Sequence, residues 1–227
     1  MKRISNQLLP LIVLAAVICA CKWPAFTTRS DEPTNVANAS NSSVAEAPSS
    51  GAFAPSGDPV ADVRNASNRF IQSKSFQAKM STEGSTPMKL ELQFVAPDRY
   101  RIKTGTMETV IIGKETYLNV NGRWMRSPVD MGSSIPSMRD AFTEEGLKGI
   151  SSVEYTGDET VNGKESMVYK YNGKAVKGGS DYISRLWVAR DDGLPQRVQV
   201  TYNGGPLKTA VINYEYNDIA IEKPAVK

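Results

Sequence analysis

The chain has 227 residues, with 27 Lys and Arg, 24 Asp and Glu, two cysteines and no histidine. The absence of histidine excludes Ser-His-Asp and Cys-His catalysis and every zinc site that contains histidine. No GxxxxGK[ST] or GxGxxG loop is present, so nucleotide chemistry has no support from the sequence. Removing Lys2 and Arg3 leaves 25 of the 27 basic residues against 24 acidic ones, a balance that predicts no nucleic-acid partner.

The N-terminus predicts export and lipidation. A basic start precedes an apolar run over residues 8–20, which is typical of a signal peptide. The run of about 13 residues is shorter than the roughly 20 that a membrane-spanning helix needs. It ends in the sequence ICAC, which resembles the bacterial lipobox, so we expect acylation of Cys21. Cys19 fits the motif less well because a large residue precedes it, and a plain secretory signal remains an alternative.

The chain after Cys21 divides into a tether and a domain. No cysteine follows Cys21, so the exported part has no internal disulfide and depends on its core. In residues 22–57, 26 of 36 are Ala, Ser, Pro, Thr, Asn or Gly, which predicts a flexible tether. Such a tether has an r.m.s. span of roughly 30–36 Å. The predicted organisation is a lipoprotein signal peptide with its lipobox over 1–21, the tether over 22–57 and one domain over 58–227.

One helix and a meander of strands are predicted for the domain. Asp58 is typical of an N-cap and Pro59 of a first helical position, and the helix extends to about Lys74. Its apolar side consists of Val60, Val63, Ala66, Phe70 and Ile71. Strands are predicted within 76–82, 88–103, 109–112, 115–120, 123–126, 153–155, 166–171, 182–189, 196–202 and 208–221. Turns are predicted at 121–122, 162–163, 172–173, 192–193 and 203–204.

Residues 88–103 also predict the register of one hairpin. With a three-residue loop at 96–98, Phe94 pairs with Tyr100 and every apolar residue lies on one face. A loop shorter by one residue would set Phe94 opposite Arg101. We therefore predict the three-residue loop.

Residues 131–150 interrupt the strand pattern and are predicted to form a lid. Ser137 is typical of the cap of a short helix with Met138, Ala141 and Phe142 on one side. The lid candidates are Met131, Ile135, Met138 and Phe142. Methionines suit a cavity for variable acyl chains, but they equally fill gaps in a core.

The apolar strand faces are more extensive than one or two helices can cover. Such faces are filled by side chains, by helices or by a ligand, and an ordinary packed core is the alternative to a ligand cavity. The cavity candidates are Met88, Leu90, Leu92, Phe94, Tyr100, Ile102, Met167, Tyr169, Leu186, Val198, Val200, Ile212 and Tyr214. Hydrolysis by Glu144-Glu145 or Asp191-Asp192 is disfavoured, because neighbours in sequence point apart.

Four segments resemble the LolA/LolB-like lipoprotein carriers and the related LppX/LprG-type lipoproteins. They are residues 94–101 (FVAPDRYR), 117–124 (YLNVNGRW), 186–195 (LWVARDDGLP), and 214–219 (YEYNDI) with Pro224. The resemblance implies an α+β fold in which an incomplete antiparallel β-barrel, a half-barrel, wraps over a few helices and takes acyl chains in an apolar cavity. Arg99 and Arg101 fall where family members place arginines, but the alternation puts both on the solvated face.

We therefore expect a membrane-tethered, non-enzymatic binder or carrier of lipids or lipoprotein acyl chains, without a cofactor, a metal or a catalytic residue. Its expected partners are an acyl lipid or lipoprotein and, through the N-terminal lipid anchor, the membrane. The alternative is a sensory or scaffolding module of the cell envelope that binds a protein partner through the same fold. Lys22, rather than an aspartate, follows Cys21. This predicts the periplasmic side of the outer membrane in a bacterium with two membranes, and otherwise the outer face of the cytoplasmic membrane.

Overall fold

The computed structural model describes residues 52–132, 139, 142–174 and 181–226. They contain the helices α1 (Pro59–Gln72) and α2 (Glu144–Leu147) and the strands β1 (Ser75–Gly84), β2 (Met88–Val95), β3 (Arg99–Thr104), β4 (Met107–Ile112), β5 (Glu115–Val120), β6 (Arg123–Arg126), β7 (Ile150–Val161), β8 (Lys164–Gly173), β9 (Tyr182–Ala189), β10 (Pro195–Tyr202) and β11 (Leu207–Glu215). The signal peptide, Cys21 and most of the tether lie outside the described residues. The compact unit within the described residues begins at Ala52.

The strands form one sheet in the order β6-β5-β4-β3-β2-β1-β11-β10-β9-β8-β7, and each pair is antiparallel. Two meanders, β1 to β6 and β7 to β11, are joined where β1 pairs with β11. Within the described ranges the sheet is not closed, because β6 and β7 form its two edges. This open half-barrel over helices confirms the predicted α+β fold class.

The local turn chemistry also agrees with the prediction. Phe94 pairs with Tyr100 across a three-residue loop, so the predicted hairpin register is confirmed. The turns at 121–122 and 162–163 each place Asn and Gly at positive φ, with Asn at 53° in both and Gly at 80° and 79°. Two consecutive residues of positive φ match the twist of an antiparallel hairpin, which explains the Asn-Gly pairs.

Helix α1 begins as predicted, with Pro59 in its first turn and the Asp58 side chain accepting hydrogen bonds from two backbone N–H groups at 2.9 and 3.3 Å. Val63, Ala66 and Phe70 are buried in the core. Val60 was wrongly assigned to the apolar side, since it is 46% exposed. The buried side of α1 is rotated away from Val60 and includes two polar side chains, Asp62 and Ser67.

Three strand predictions need correction. The strand predicted at 153–155 is the twelve-residue β7, most of whose residues are polar, so that the alternation of apolar and polar residues is absent outside its centre. The turn predicted at 172–173 belongs to β8, because the Tyr182 ring packs directly on Gly173, where a Cβ would overlap it. The strand predicted to end at 221 ends at Glu215.

The segment after β11 covers the outer face of the first meander. Ile221 is buried with Val110 and Tyr117, and Ile219 packs against the same cluster. The Arg99 guanidinium donates a hydrogen bond to the Ile221 carbonyl oxygen at 2.9 Å. Residues after Glu215 therefore keep an apolar pattern because they pack on the sheet, not because they extend it.

Candidate functional site

The face of the sheet that packs against α1, which we call the inner face, carries the candidate site. Cross-strand pairing aligns its side chains in rows, because directly opposed residues point to the same side. One row consists of Leu90, Met80, Ile212, Val198, Leu186 and Tyr169. The next row consists of Met88, Thr82, Ala210, Val200, Ser184 and Tyr171.

One end of the inner face is filled by aromatic side chains. The Phe70 ring of α1 lies 4.9 Å from Phe76, 4.5 Å from Phe142 and 5.1 Å from Tyr214, measured between ring centroids. All four side chains are buried. Phe142, predicted as a lid residue, thus belongs to this closed end of the core.

The other end carries apolar side chains that are only half-buried. They are Met80, Leu90, Ile102, Val200 and Ile212, which we call the open strip. These residues lie on five neighbouring strands, β3, β2, β1, β11 and β10. The open strip runs diagonally across the sheet, because Ile102 is opposite Leu92 whereas Val200 is opposite Ala210, two rows further along the strands. With strands about 4.8 Å apart, it extends roughly 19 Å across the strands. It is a continuous apolar surface next to a closed core.

The structure brings twelve of the thirteen predicted cavity residues into one cluster. Those fully buried in it are Leu92, Phe94, Met167, Tyr169, Leu186, Val198 and Tyr214. Those half-buried against it are Leu90, Tyr100, Ile102, Val200 and Ile212. Met88 is half-buried outside the cluster, at the end of its row. Met80 was not among the candidates, although its alternation with Phe76 and Ala78 on β1 was a sufficient signal.

Two buried polar groups connect α1 to the inner face. The Tyr169 hydroxyl donates a hydrogen bond to Asp62 Oδ2 at 3.0 Å, and the Ser56 backbone N–H donates to Asp62 Oδ1 at 2.9 Å. Burial, followed by the bond to Asp62, raises the pKa of Tyr169 far above its ordinary value. The phenol therefore stays protonated and serves as a donor.

A second group of hydroxyls lies at the β8–β10 end of the open strip. Ser184 is opposite Tyr171 on β8 and opposite Val200 on β10. Tyr182 and Tyr202 form the next cross-strand pair, with ring centroids 6.2 Å apart. Burial raises the pKa of the Tyr171 phenol to about 12, and the Ser184 hydroxyl offsets part of that rise. Burial also raises the pKa of Tyr182 and of Tyr202.

The described part of the predicted lid lies beside the closed end. The Met131 backbone N–H donates to Thr116 Oγ1 at 3.2 Å, and Met131 is half-buried. The Arg139 guanidinium lies over the Phe94 ring, 4.8 Å from its centroid. Ile135 and Met138 lie outside the described residues, so their assignment stays a prediction.

The carboxylates of the two acidic pairs in the sequence, Glu144-Glu145 and Asp191-Asp192, form ion pairs with basic side chains in the structure. Asp191 and Asp192 both contact the Lys164 ammonium, at 3.0 and 2.6 Å. Glu144 contacts Arg64 at 3.6 Å, whereas its neighbour Glu145 contacts a lysine of the same helix end. Within the described ranges, no three acidic or cysteine side chains converge in a way that would hold a metal ion.

The outer face is polar where the segment after β11 does not cover it. Arg101 lies there as predicted and contacts Glu108 at 3.5 Å. An open groove of about 450 Å³ is lined mainly by outer-face residues, with Met80 and Leu90 of the open strip also part of its wall; its lining is Lys79, Met80, Ser81, Lys89, Leu90, Glu91, Lys103, Gly105 and Asn213. A second open groove, of about 380 Å³, lies along the polar side of α1 beside Phe53. Of the helices described, neither has the length and apolar character that crossing a bilayer requires.

Comparison with known proteins identifies the fold. No protein-family model and no curated protein sequence matches the chain significantly. Among solved structures, the chain is similar to lipoprotein LppX of Mycobacterium tuberculosis, with a TM-score of 0.59 and 12% identity over 74% of this chain and 100% of LppX. It is also similar to LprF of Mycobacterium bovis, with a TM-score of 0.58 and 13% identity over 75% of this chain and 99% of LprF. At such identities the similarity establishes the fold alone. The chain therefore has the fold of LppX and LprF.

Proposed function

We propose that this protein is a membrane-tethered, non-enzymatic binder of acyl lipids or of lipoprotein acyl chains, and that the open strip holds the acyl chain. The observation that carries the proposal is the half-buried apolar surface that continues across five strands beside a fully packed core. Each methylene that moves from water onto this surface contributes up to about 0.8 kcal/mol. Six methylenes would contribute at most about 5 kcal/mol, which corresponds to reversible binding with a dissociation constant of about 0.2 mM.

The membrane tether is part of the same proposal. Acylation of Cys21 would place the domain within reach of the bilayer, since a tether over residues 22–57, as the sequence predicts, would span roughly 30–36 Å. The envelope location follows from the signal peptide and lipobox of the sequence and from the similarity of the fold to a bacterial lipoprotein. Membrane fractionation tests the anchor: a Cys21→Ala chain should leave the membrane fraction, and one that stays membrane-bound would contradict acylation at this residue.

Binding of a protein partner through a sheet edge is the alternative function. A partner strand would add to β6 or β7, the two edges of the sheet. Strand β6 has only four residues, and the pairing of β7 with β8 shifts register at two places. Short or bulged edges are poor templates for a further strand. The inner face is therefore the better candidate surface.

Native mass spectrometry of the chain from residue 22 to 227, isolated without detergent, tests the proposal. We expect a copurified acyl lipid in stoichiometric amount, released on denaturation and identified by organic extraction. A protein that is isolated empty and also leaves a fluorescent fatty-acyl probe unbound would refute acyl binding and favour the protein-partner alternative.

A further inference from the structure

The β8–β10 end of the open strip contains a buried hydroxyl without a hydrogen-bond partner. Ser184 is 1% exposed, and although its hydroxyl lowers the pKa of the facing Tyr171 phenol, its Oγ forms no hydrogen bond of standard distance and angle with any residue in the described ranges. Buried polar groups are almost always hydrogen-bonded, so an unpaired hydroxyl at this position needs an explanation. By contrast, the buried Ser166 Oγ on the neighbouring strand β8 donates to the Lys164 carbonyl oxygen at 3.2 Å.

Within the described residues, the direct cross-strand neighbours of Ser184 carry no charge, and one of them supplies a donor. Tyr171 lies opposite it, and the pair Tyr182 and Tyr202 lies one row further along the same face. The residues paired across the strands in these two rows are uncharged: Met88, Thr82, Ala210, Val200, Ser184 and Tyr171, followed by Tyr202, Tyr182 and Gly173. Lys208, two residues before Ala210 on β11, lies on the same side of the sheet, but it is exposed and two strands away from Ser184. Three protonated phenols and one serine hydroxyl therefore face the same side of the sheet.

The position of this group relative to the open strip gives it access to a ligand. Val200 belongs to the open strip and is the direct cross-strand neighbour of Ser184. Tyr182 and Tyr202 are half-buried, so they form the solvent-side rim, whereas Ser184 and Tyr171 lie further inside. An acyl chain on the open strip would thus end beside hydroxyl donors.

We propose that Ser184, with Tyr171, Tyr182 and Tyr202, forms a polar subsite that recognises the uncharged carbonyl group of an acyl ester and disfavours an ionised carboxylate. This inference rests on the proposed function, because it concerns the polar end of the same bound lipid. An ester carbonyl oxygen accepts hydrogen bonds but carries no net charge. It can therefore accept a hydrogen bond from the Ser184 hydroxyl without bringing a charge into the protein interior. A carboxylate would lose its hydration in a place where the paired residues of these rows offer no cation, which disfavours its binding.

Ser184 is therefore a positioning residue whose removal should have opposite effects on stability and on binding. The Ser184→Ala change deletes an unpaired buried hydroxyl, so the empty protein should unfold at a higher urea concentration. The same change removes a donor to the ester, so affinity for an ester should fall about tenfold. A merely structural serine would not combine a gain in stability with a loss of ester affinity.

The experiment compares cis-parinaric acid with its methyl ester at pH 8, by fluorescence titration of the chain from residue 22 to 227. The wild type should bind the ester at least tenfold more tightly than the acid, and Ser184→Ala should lose most of this preference while its affinity for the acid changes less than twofold. The matched control Ser166→Ala removes a paired buried hydroxyl, so it should lower stability and keep the preference. Tyr202→Phe, at the half-buried rim, should reduce ester affinity by about threefold without affecting folding.

The outcomes separate this inference from the proposed function. Equal ester preference in the wild type, Ser184→Ala and Tyr202→Phe would overturn the polar subsite while leaving acyl binding intact. A wild type that binds neither probe would overturn both. A Ser184→Ala variant that unfolds more easily than the wild type would show that the hydroxyl is paired in the native protein and would also overturn the inference.

Discussion

The open strip can be tested by placing a charge on it and on the opposite face of the same strand. Ile212 points to the inner face, where it pairs with Met80 and Val198. Val211, the preceding residue, points to the outer face between Ser81 and Gln199 and is equally half-buried. Ile212→Arg and Val211→Arg are therefore a matched pair that differs mainly in the face of the sheet that receives the guanidinium.

The expected magnitudes follow from the half-burial of both positions. Full burial of an aliphatic side chain contributes about 1.5–3 kcal/mol, so either change should lower the free energy of unfolding by about 1–2 kcal/mol, part of the loss being offset by the arginine methylenes. On the open strip, the arginine would displace an acyl chain from about four methylene contacts. At about 0.8 kcal/mol each, the loss of about 3 kcal/mol corresponds to roughly a hundredfold lower affinity.

Titration with a fluorescent fatty-acyl probe and urea unfolding of the same samples decide the result. We expect Ile212→Arg to fold and to lose the probe roughly a hundredfold, while Val211→Arg folds and binds within threefold of the wild type. Equal affinities of the two variants, with both folded, would refute the assignment of the open strip as the acyl site. Loss of binding in proportion to unfolding would show that Ile212 is a core residue.

Two further predictions concern the hydrogen bonds and phenols of the core. Asp62→Ala and Tyr169→Phe should each lower the free energy of unfolding in urea by about 1.5–3 kcal/mol, because each breaks a buried hydrogen bond. The double variant should lose less than the sum of the two single losses. Additive losses would show that the hydrogen bond between Tyr169 and Asp62 contributes nothing to stability. Burial raises the pKa of Tyr171 from 10.0 to about 12, so this phenol contributes stability that is complete below about pH 10 and is lost as the pH rises towards 12. Between pH 9 and pH 12 the free energy of unfolding, measured in urea, should therefore fall by about 2–3 kcal/mol less in Tyr171→Phe than in the wild type. An equal fall in the two proteins would contradict the raised pKa.

The predictions that succeeded depend on local rules. Alternation of apolar residues fixes which face of a strand is buried, and with it the pairing of Phe94 with Tyr100. Asn-Gly turns fix the ends of β5 and β6, whose bounds agree with the sequence prediction. The N-cap of α1 at Asp58 is likewise determined by a side chain and the backbone next to it.

The predictions that failed depend on contacts between distant segments. Strand β7 is polar along most of its length and is held by its pairing with β8, so its own residues give little sign of it. Ile219 and Ile221 alternate as strand residues do, but out of phase with the apolar positions 210, 212 and 214 of β11, and they pack on Val110 and Tyr117 of the outer face. Periodicity reports that a residue is apolar on one side, and it does not report which surface covers that side.

The same limit applies within the candidate site. Leu90 and Leu92 are two residues apart on β2 and point to the same face, yet Leu92 is 3% exposed and Leu90 is half-buried. The difference arises because Phe70 of α1 packs on one end of the inner face only. Sequence alone therefore selects the inner-face residues correctly and cannot divide them into core and open strip.

The division of the inner face into a closed core and an open strip explains how one sheet can be stable and still offer a surface for a ligand. The aromatic packing around Phe70 buries the closed end completely, and antiparallel pairing carries that order along each strand into the open end. The open strip can then keep apolar side chains half-exposed, at a cost in stability that the closed end offsets. Ser184 supports the same interpretation, because an unpaired buried hydroxyl lowers stability unless a group outside the described residues forms a hydrogen bond with it. Both departures from optimal packing lie at the same end of the inner face, which is the arrangement expected when a ligand, rather than the chain itself, completes the core.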